Sequence, residues 1–225
     1  MEASSYHGNP NLKPLAYKHD FTQHEIEEYI KCQNDTKYFI ENYVKIVTLD
    51  KGLQPFKLFP CQKGKVDLIM DERKVILMEG RQQGKTVTAA ACILHYTIFQ
   101  EDKTVAIMAN KASAAREVLN RYQIMYENLP LWMQQGVRVW NKGDVELENN
   151  SKVLSAATTA SAIRGKSVNW LYIDEAAIIP NNIADEFFTS VYPTISAGET
   201  TKILLTSTPL GYNHFWKFWN ESEKG

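Results

Sequence analysis

Eight consecutive residues carry the strongest chemical signal: Glu79, Gly80, Arg81, Gln82, Gln83, Gly84, Lys85 and Thr86. A short apolar run, Lys74–Met78 (KVILM), precedes them, and a long apolar run from Thr86 to Phe99 follows. Strand, tight loop and helix N-terminus in that order can turn backbone N–H groups inward around phosphate oxygens, and the helix dipole adds favourable potential. Lys85 is placed to reach the β- and γ-phosphates of a nucleotide, and Thr86 to bind Mg²⁺ through its hydroxyl. Gly80, Arg81, Gln82, Gln83 and Gly84 form the rest of the expected cradle. The spacing departs from GxxxxGK[ST]: Glu79 stands at the first glycine position and Gly80 comes one residue late. A GxxxGKT pattern alone also suits an ordinary turn before a helix. The buried strand before the loop and the apolar helix after it argue against that reading.

A second apolar run, Trp170–Ile173 (WLYI), ends in two acids, Asp174 and Glu175. Such a strand places both carboxylates at the C-terminal edge of a sheet, where open parallel sheets bind ligands. Asp174 is expected to hold Mg²⁺, usually through water. Glu175 is the natural base to orient and deprotonate an attacking water. A small-molecule kinase must keep water from the γ-phosphate, so a water-activating glutamate points instead to ATP hydrolysis.

The surrounding pattern can position these groups. Helices are expected over about 23–32 and from Asp35 onward, the second carrying Tyr38, Phe39, Tyr43, Ile46 and Val47 on one side. Lys51–Pro55 reads as a turn, and Pro60 opens a helix to about Met70. From Lys74 the order becomes strand, loop, helix, strand (Lys103–Ala109), helix (about Ala112–Asn128), which implies a parallel sheet with right-handed crossovers. Short strands follow at Val137–Trp140, Val145–Glu148 and Val153–Ala156, then Trp170–Ile173, a helix at about Ile183–Thr194, and a last strand at Lys202–Leu205. Residues 1–22 read as a loose or peripheral arm. Residues 23–225 read as one core, with N-terminal helices over 23–72 and a nucleotide-binding sheet over 73–225.

Composition bounds the possibilities. The chain has 225 residues, enough for one sizeable α/β domain, with 44% hydrophobic and 23% charged residues. Cys32, Cys61 and Cys92 are far apart and form no CxxC pair, so they are expected as reduced thiols of a cytoplasmic protein. No apolar run reaches the length of a membrane span, and no signal-peptide pattern opens the chain. The 25 basic and 26 acidic residues give a formal charge of −1. A domain gripping a long stretch of DNA by itself should be basic, so any grip on nucleic acid is local or supplied by other parts and copies.

Together these motifs resemble the ATPase part of the large subunit of tailed-phage terminases, the DNA-packaging motor, especially those of contractile-tailed phages. The resemblance covers roughly residues 24–220. It rests on Glu28–Cys32 (EYIKC), Tyr38–Val47 (YFIENYVKIV), Arg81–Thr86 (RQQGKT), Ile163–Ser167 (IRGKS), Leu171–Ala176 (LYIDEA) and Leu205–Phe215 (LTSTPLGYNHF). That family tolerates the shortened glycine spacing. The resemblance implies a three-layer α/β/α P-loop NTPase of the additional-strand, catalytic-glutamate type, with a mainly parallel central sheet. It implies that Gln62 reads the adenine base, although Cys61 stands where an aromatic residue is often found. Thr206, Ser207 and Thr208 correspond to a coupling motif that senses the γ-phosphate. Arg81 and Arg164 correspond to catalytic arginines, Arg81 contacting phosphate within its own subunit and Arg164 expected to act on a neighbour around a ring.

The implied cofactors are ATP and Mg²⁺. The implied partners are double-stranded DNA, a portal protein, a small terminase subunit and further copies of the chain in a ring, with the isolated domain expected to be a monomer in the host cytoplasm. The family's full chain adds a lid subdomain and a nuclease, which this chain is expected to lack. Two other readings share parts of this pattern. A helicase-like remodeller needs a second nucleotide-facing lobe, and a non-catalytic assembly module does not need Lys85, Asp174 and Glu175 together. His19 and the His24, Glu25 pair read as exposed residues at a helix start, and His95 as a core histidine. The spacing of Tyr212, Phe215, Trp216 and Trp219 predicts a helical stripe packed in the core, or an interface for the lid.

Overall fold

Period-two alternation in the apolar runs builds a sheet covered on both faces. The computed structural model describes residues 5–159, 161–163, 165–190, 192–193 and 198–222. Before the sheet come α1 (Gln23–Asn34), α2 (Thr36–Tyr43), an antiparallel hairpin of β1 (Lys45–Thr48) and β2 (Gly52–Pro55), and α3 (Pro60–Asp71). The sheet region contains β3 (Lys74–Met78), α4 (Lys85–Phe99), β4 (Thr104–Ala109), α5 (Ala112–Glu127), β5 (Val137–Trp140), β6 (Asp144–Leu147), β7 (Lys152–Ala157), β8 (Trp170–Ile173), α6 (Asn181–Ser190), β9 (Lys202–Ser207) and α7 (His214–Ser222). A 3₁₀ turn, Ala176–Ile178, leads out of β8. The seven strands lie in the order β3-β9-β8-β4-β7-β6-β5. The first five run parallel, and β6 pairs antiparallel with both β7 and β5. The last strand in sequence, β9, therefore sits between the phosphate-loop strand β3 and the acid-pair strand β8.

Alternation decides which layer each residue joins. In β4, Val105 and Ile107 pack with the α4 and α5 side, while Ala106 and Met108 pack with the α6 and α7 side. In β8, Trp170 and Tyr172 face the first layer, and Leu171 and Ile173 the second. Helix α4 is buried along almost its whole length, so its Ala89–Ala90–Ala91 run allows close approach to its neighbours. The result is the three-layer α/β/α arrangement read from the sequence, with a mainly parallel sheet. Among the described residues no helix is long and apolar enough to cross a membrane.

Three expectations are corrected. Helix α2 begins after its Asp35 cap but ends at Tyr43, and Ile46 and Val47 lie in β1 instead. The run Val44, Ile46, Val47, Thr48 is β-branched at four positions, which favours extended backbone over a further helical turn. Gly52, at φ 65°, closes the hairpin, so Lys51–Pro55 is part turn and part strand. Tyr212 stands outside α7 and is 86% exposed, whereas Phe215 is buried. The aromatic spacing thus mixes core and surface. His95 is buried and bonds the Cys32 carbonyl at 2.9 Å, a core role.

The segment ahead of α1 has little regular structure, yet it is tied down. Leu12 is buried in the core, and Val137 N–H donates to the Lys13 carbonyl. Gln134, itself buried, accepts from Lys13 N–H and donates to the carbonyls of Asn11, Tyr126 and Leu129. One amide thus closes several backbone groups that burial would otherwise leave unpaired. Gln134→Ala should lower stability by about 1–3 kcal/mol in urea unfolding and speed proteolysis around Leu15. An unchanged midpoint and digestion pattern would mean the segment is held elsewhere.

Candidate active site

Strand parity brings the acidic and polar groups together. Asp174 follows β8 on the same face as Tyr172, the face that looks toward α4. Thr206 in β9 shares parity with Leu204 and meets Asp174 across the sheet, because Ile173 pairs with Leu205. The Thr206 hydroxyl donates to Asp174 Oδ1 at 2.8 Å, and the Tyr172 hydroxyl donates to the same oxygen at 3.0 Å. Burial and the nearby Asp174 charge push the Tyr172 phenol well above its ordinary value, so it stays a proton donor. Thr86, at the start of α4, donates to both Asp174 oxygens at 3.2–3.3 Å. The hydroxyl of the phosphate loop and the carboxylate of β8 are therefore side by side.

The second acid takes a different direction. Glu175 adopts a left-handed backbone, φ 50° and ψ 47°, as the chain leaves β8. A non-glycine residue rarely holds that conformation, and such strain concentrates at sites where geometry matters. It turns Glu175 toward the loop, where Oε1 lies 2.8 Å from Lys85 Nζ. The Lys85 side chain is 7% exposed. Oε2 accepts from Thr208 N–H and Oγ1, both at 3.3 Å, and from Ser207 Oγ at 3.4 Å. Burial pushes the Glu175 carboxyl up, but Lys85 and Thr208 together outweigh it and hold the group below the usual glutamate value. Ser207 also accepts from Ala177 N–H and so links β9 to the turn after Glu175.

The loop itself contains two left-handed residues, Gln82 at φ 62° and Gly84 at φ 77°. Glycine holds that backbone without the strain an L side chain would meet, and a Cβ there would also displace the Gln62 amide. Gln62 Oε1 accepts from Phe59 N–H, closing the start of α3, so that amide sits against the loop. Gly80, Arg81, Gln82 and Gln83 are exposed. Arg164 lies outside the described residues.

Two contacts were not foreseen from the sequence. Lys65, in α3, is buried and places Nζ 2.7 Å from Glu79 Oε2 and 2.9 Å from the Gln83 carbonyl. Gln62, Lys65, Val66 and Ile69 form the buried stripe of α3, and a lysine in that helical period was the available signal. Tyr172 was the other, and its position two residues before Asp174 on the same strand face was enough to find it.

The arrangement combines a buried ammonium, a paired hydroxyl and carboxylate, and an ionised glutamate at the C-terminal edge of a parallel sheet. A family model described as terminase large subunit, T4likevirus-type, N-terminal, matches residues 76–224. The large terminase of bacteriophage HK97 superposes with a TM-score of 0.71 at 20% identity, covering 85% of this chain and 41% of that one. The large terminase ATPase domain of Thermus phage P74-26 gives 0.57 at 22% identity, covering 72% and 69%. The large terminase of another thermophilic bacteriophage, in complex with ATP-γ-S, gives 0.56 at 12% identity, covering 75% and 43%. The chain thus spans under half the length of the first and third of these proteins. With the matched family region running through the phosphate loop, the acid pair and β9, the chain belongs to the T4-like terminase large subunits, in their N-terminal part.

Proposed function

We propose that this chain hydrolyses ATP to ADP and phosphate as the motor ATPase of a terminase large subunit, driving double-stranded DNA into a viral procapsid. One observation carries the reading: Lys85, Thr86, Asp174, Glu175 and Thr206–Thr208 converge from three different strand ends on a single site. The relatives' complexes with ADP and ATP-γ-S support nucleotide as the ligand.

Backbone N–H groups of Gly80–Gly84 and the start of α4 cradle the phosphates, and Lys85 serves the β- and γ-phosphates. Thr86 and Asp174 offer a hydroxyl and a carboxylate, hard oxygen donors that suit Mg²⁺. The ion, when bound, neutralises charge on the β- and γ-phosphate oxygens. Glu175, kept ionised, takes the proton of the attacking water. Gln62 reads the base, with the exposed Phe59 at the start of the same helix offering an aromatic face. Arg81 contacts phosphate in its own subunit, and Arg164 acts on a neighbour in a ring.

Thr206, Ser207 and Thr208 touch both acids, so β9 is the element that feels the γ-phosphate come and go. The nuclease activity, the portal, the small terminase subunit and the DNA track belong to the whole terminase and its assembly.

Glu175→Gln tests the base. It should bind ATP with near wild-type affinity and lose turnover by roughly 100- to 10,000-fold, read by nucleotide titration and phosphate release. Near-normal hydrolysis would assign the water to another residue. Lys85→Met tests the charge pairing through stability. In the wild type the Glu175 carboxyl is depressed, so its stabilisation is present above the ordinary glutamate pKa and lost as pH falls through the folded-state value. Without the ammonium, burial is opposed only by the Thr208 hydrogen bonds, so the pKa rises and the ionised carboxylate is stabilised less. Urea unfolding should show the mutant's stability deficit largest near pH ~7 and shrinking toward pH ~4. A deficit independent of pH would show that Lys85 is not what holds Glu175 ionised.

A further inference from the structure

The phosphate loop of this chain starts on Glu79, and the carboxylate that replaces the usual glycine has a buried partner from another element. Lys65 donates from α3 to Glu79 at the start of the loop and to the Gln83 carbonyl at its end. A trans peptide is planar, and its C=O and N–H point in opposite directions. Holding the Gln83 carbonyl outward against Lys65 therefore aims the Gly84 N–H to the other side, into the cradle. Gly84 cannot hold that orientation by itself, because glycine at φ 77° is the least restricted residue in the loop. The neighbouring Gln82 is also left-handed, so the peptide that Lys65 grips lies in a stretch of unusual backbone. Gln62, one helical turn earlier on the same buried stripe of α3, places its amide nitrogen beside the position a Cβ of residue 84 would take.

We propose that Lys65 is a positioning residue for nucleotide binding: its bridge from Glu79 to the Gln83 carbonyl presets the Gly84 N–H toward a phosphate. It acts from the carbonyl side of the loop and touches no substrate. The inference rests on the reading of Glu79–Thr86 as an ATP-binding loop. A donor fixed before binding serves ground state and transition state alike, so its loss changes affinity more than turnover.

The test compares wild type, Lys65→Met, Lys65→Arg, Glu79→Gln and the double variant Lys65→Met/Glu79→Met. The readouts are ADP and ATP-γ-S affinity by calorimetry, KM and kcat for ATP, and Tm. Lys65→Met should weaken both nucleotides by on the order of ten-fold, with kcat little changed. Lys65→Arg should recover most of the affinity. Glu79→Gln removes the carboxylate end of the bridge but keeps the bond to Gln83, so it should weaken binding less than Lys65→Met does. The double variant leaves no unpaired buried charge, yet should still bind weakly, because Gln83 has lost its donor.

A fall in Tm with unchanged affinity in Lys65→Met and the double variant would overturn the proposal and leave a structural ion pair. A loss confined to kcat would overturn it too. Tighter binding by Glu79→Gln would contradict it by showing that Lys65 acts as a free charge on phosphate. If the wild type binds neither nucleotide, the ATP reading itself fails.

Discussion

A lysine ammonium sequestered from water needs an anion, and here the anion is Glu175. That contact joins the end of β3 to the end of β8 across the intervening β9. A buried charge left without a partner is costly, so the Lys85 position constrains every group around it. The left-handed backbone at Glu175 turns its carboxylate toward Lys85. The Thr208 N–H and hydroxyl take up the other Glu175 oxygen. On the proposed function, the same ammonium serves the γ-phosphate when it enters, and Glu175 is released to bind a water.

The strand order gives that exchange mechanical reach. Because β9 lies between β3 and β8, its last residues border both halves of the site. Thr206 is bonded to Asp174, Ser207 to Glu175 and to the turn at Ala177, and Thr208 to Glu175. A change in either carboxylate is felt directly at the end of β9. The chain then runs through exposed Leu210 and Tyr212 into α7, whose Phe215 is anchored in the second core layer. A displacement at Thr208 therefore passes to a packed helix within a few residues.

Much of this was legible in the sequence, for definite reasons. The strands β3, β4, β8 and β9 are short apolar runs bounded by polar turns, and burial on both faces makes such runs conspicuous. The loop and the acid pair are legible because each follows directly on one of those strands. The β1 hairpin was not, since Ile46 and Val47 continue the helical spacing of α2 and only their β-branching argues otherwise. Lys65 was missed because a lysine is normally read as surface, while here its ammonium is consumed by Glu79 and Gln83. The placement of β9 between β3 and β8 depends on long-range pairing that no local pattern encodes.

On the proposed function, Lys85 exchanges its carboxylate for a phosphate. A crystal structure of the protein with Mg²⁺ and a non-hydrolysable ATP analogue tests it directly. The expected result is Lys85 Nζ on the β- and γ-phosphate oxygens, with the 2.8 Å contact to Glu175 broken and that carboxylate facing a water beside the γ-phosphate. An analogue bound with the Lys85–Glu175 pair intact would contradict the claim.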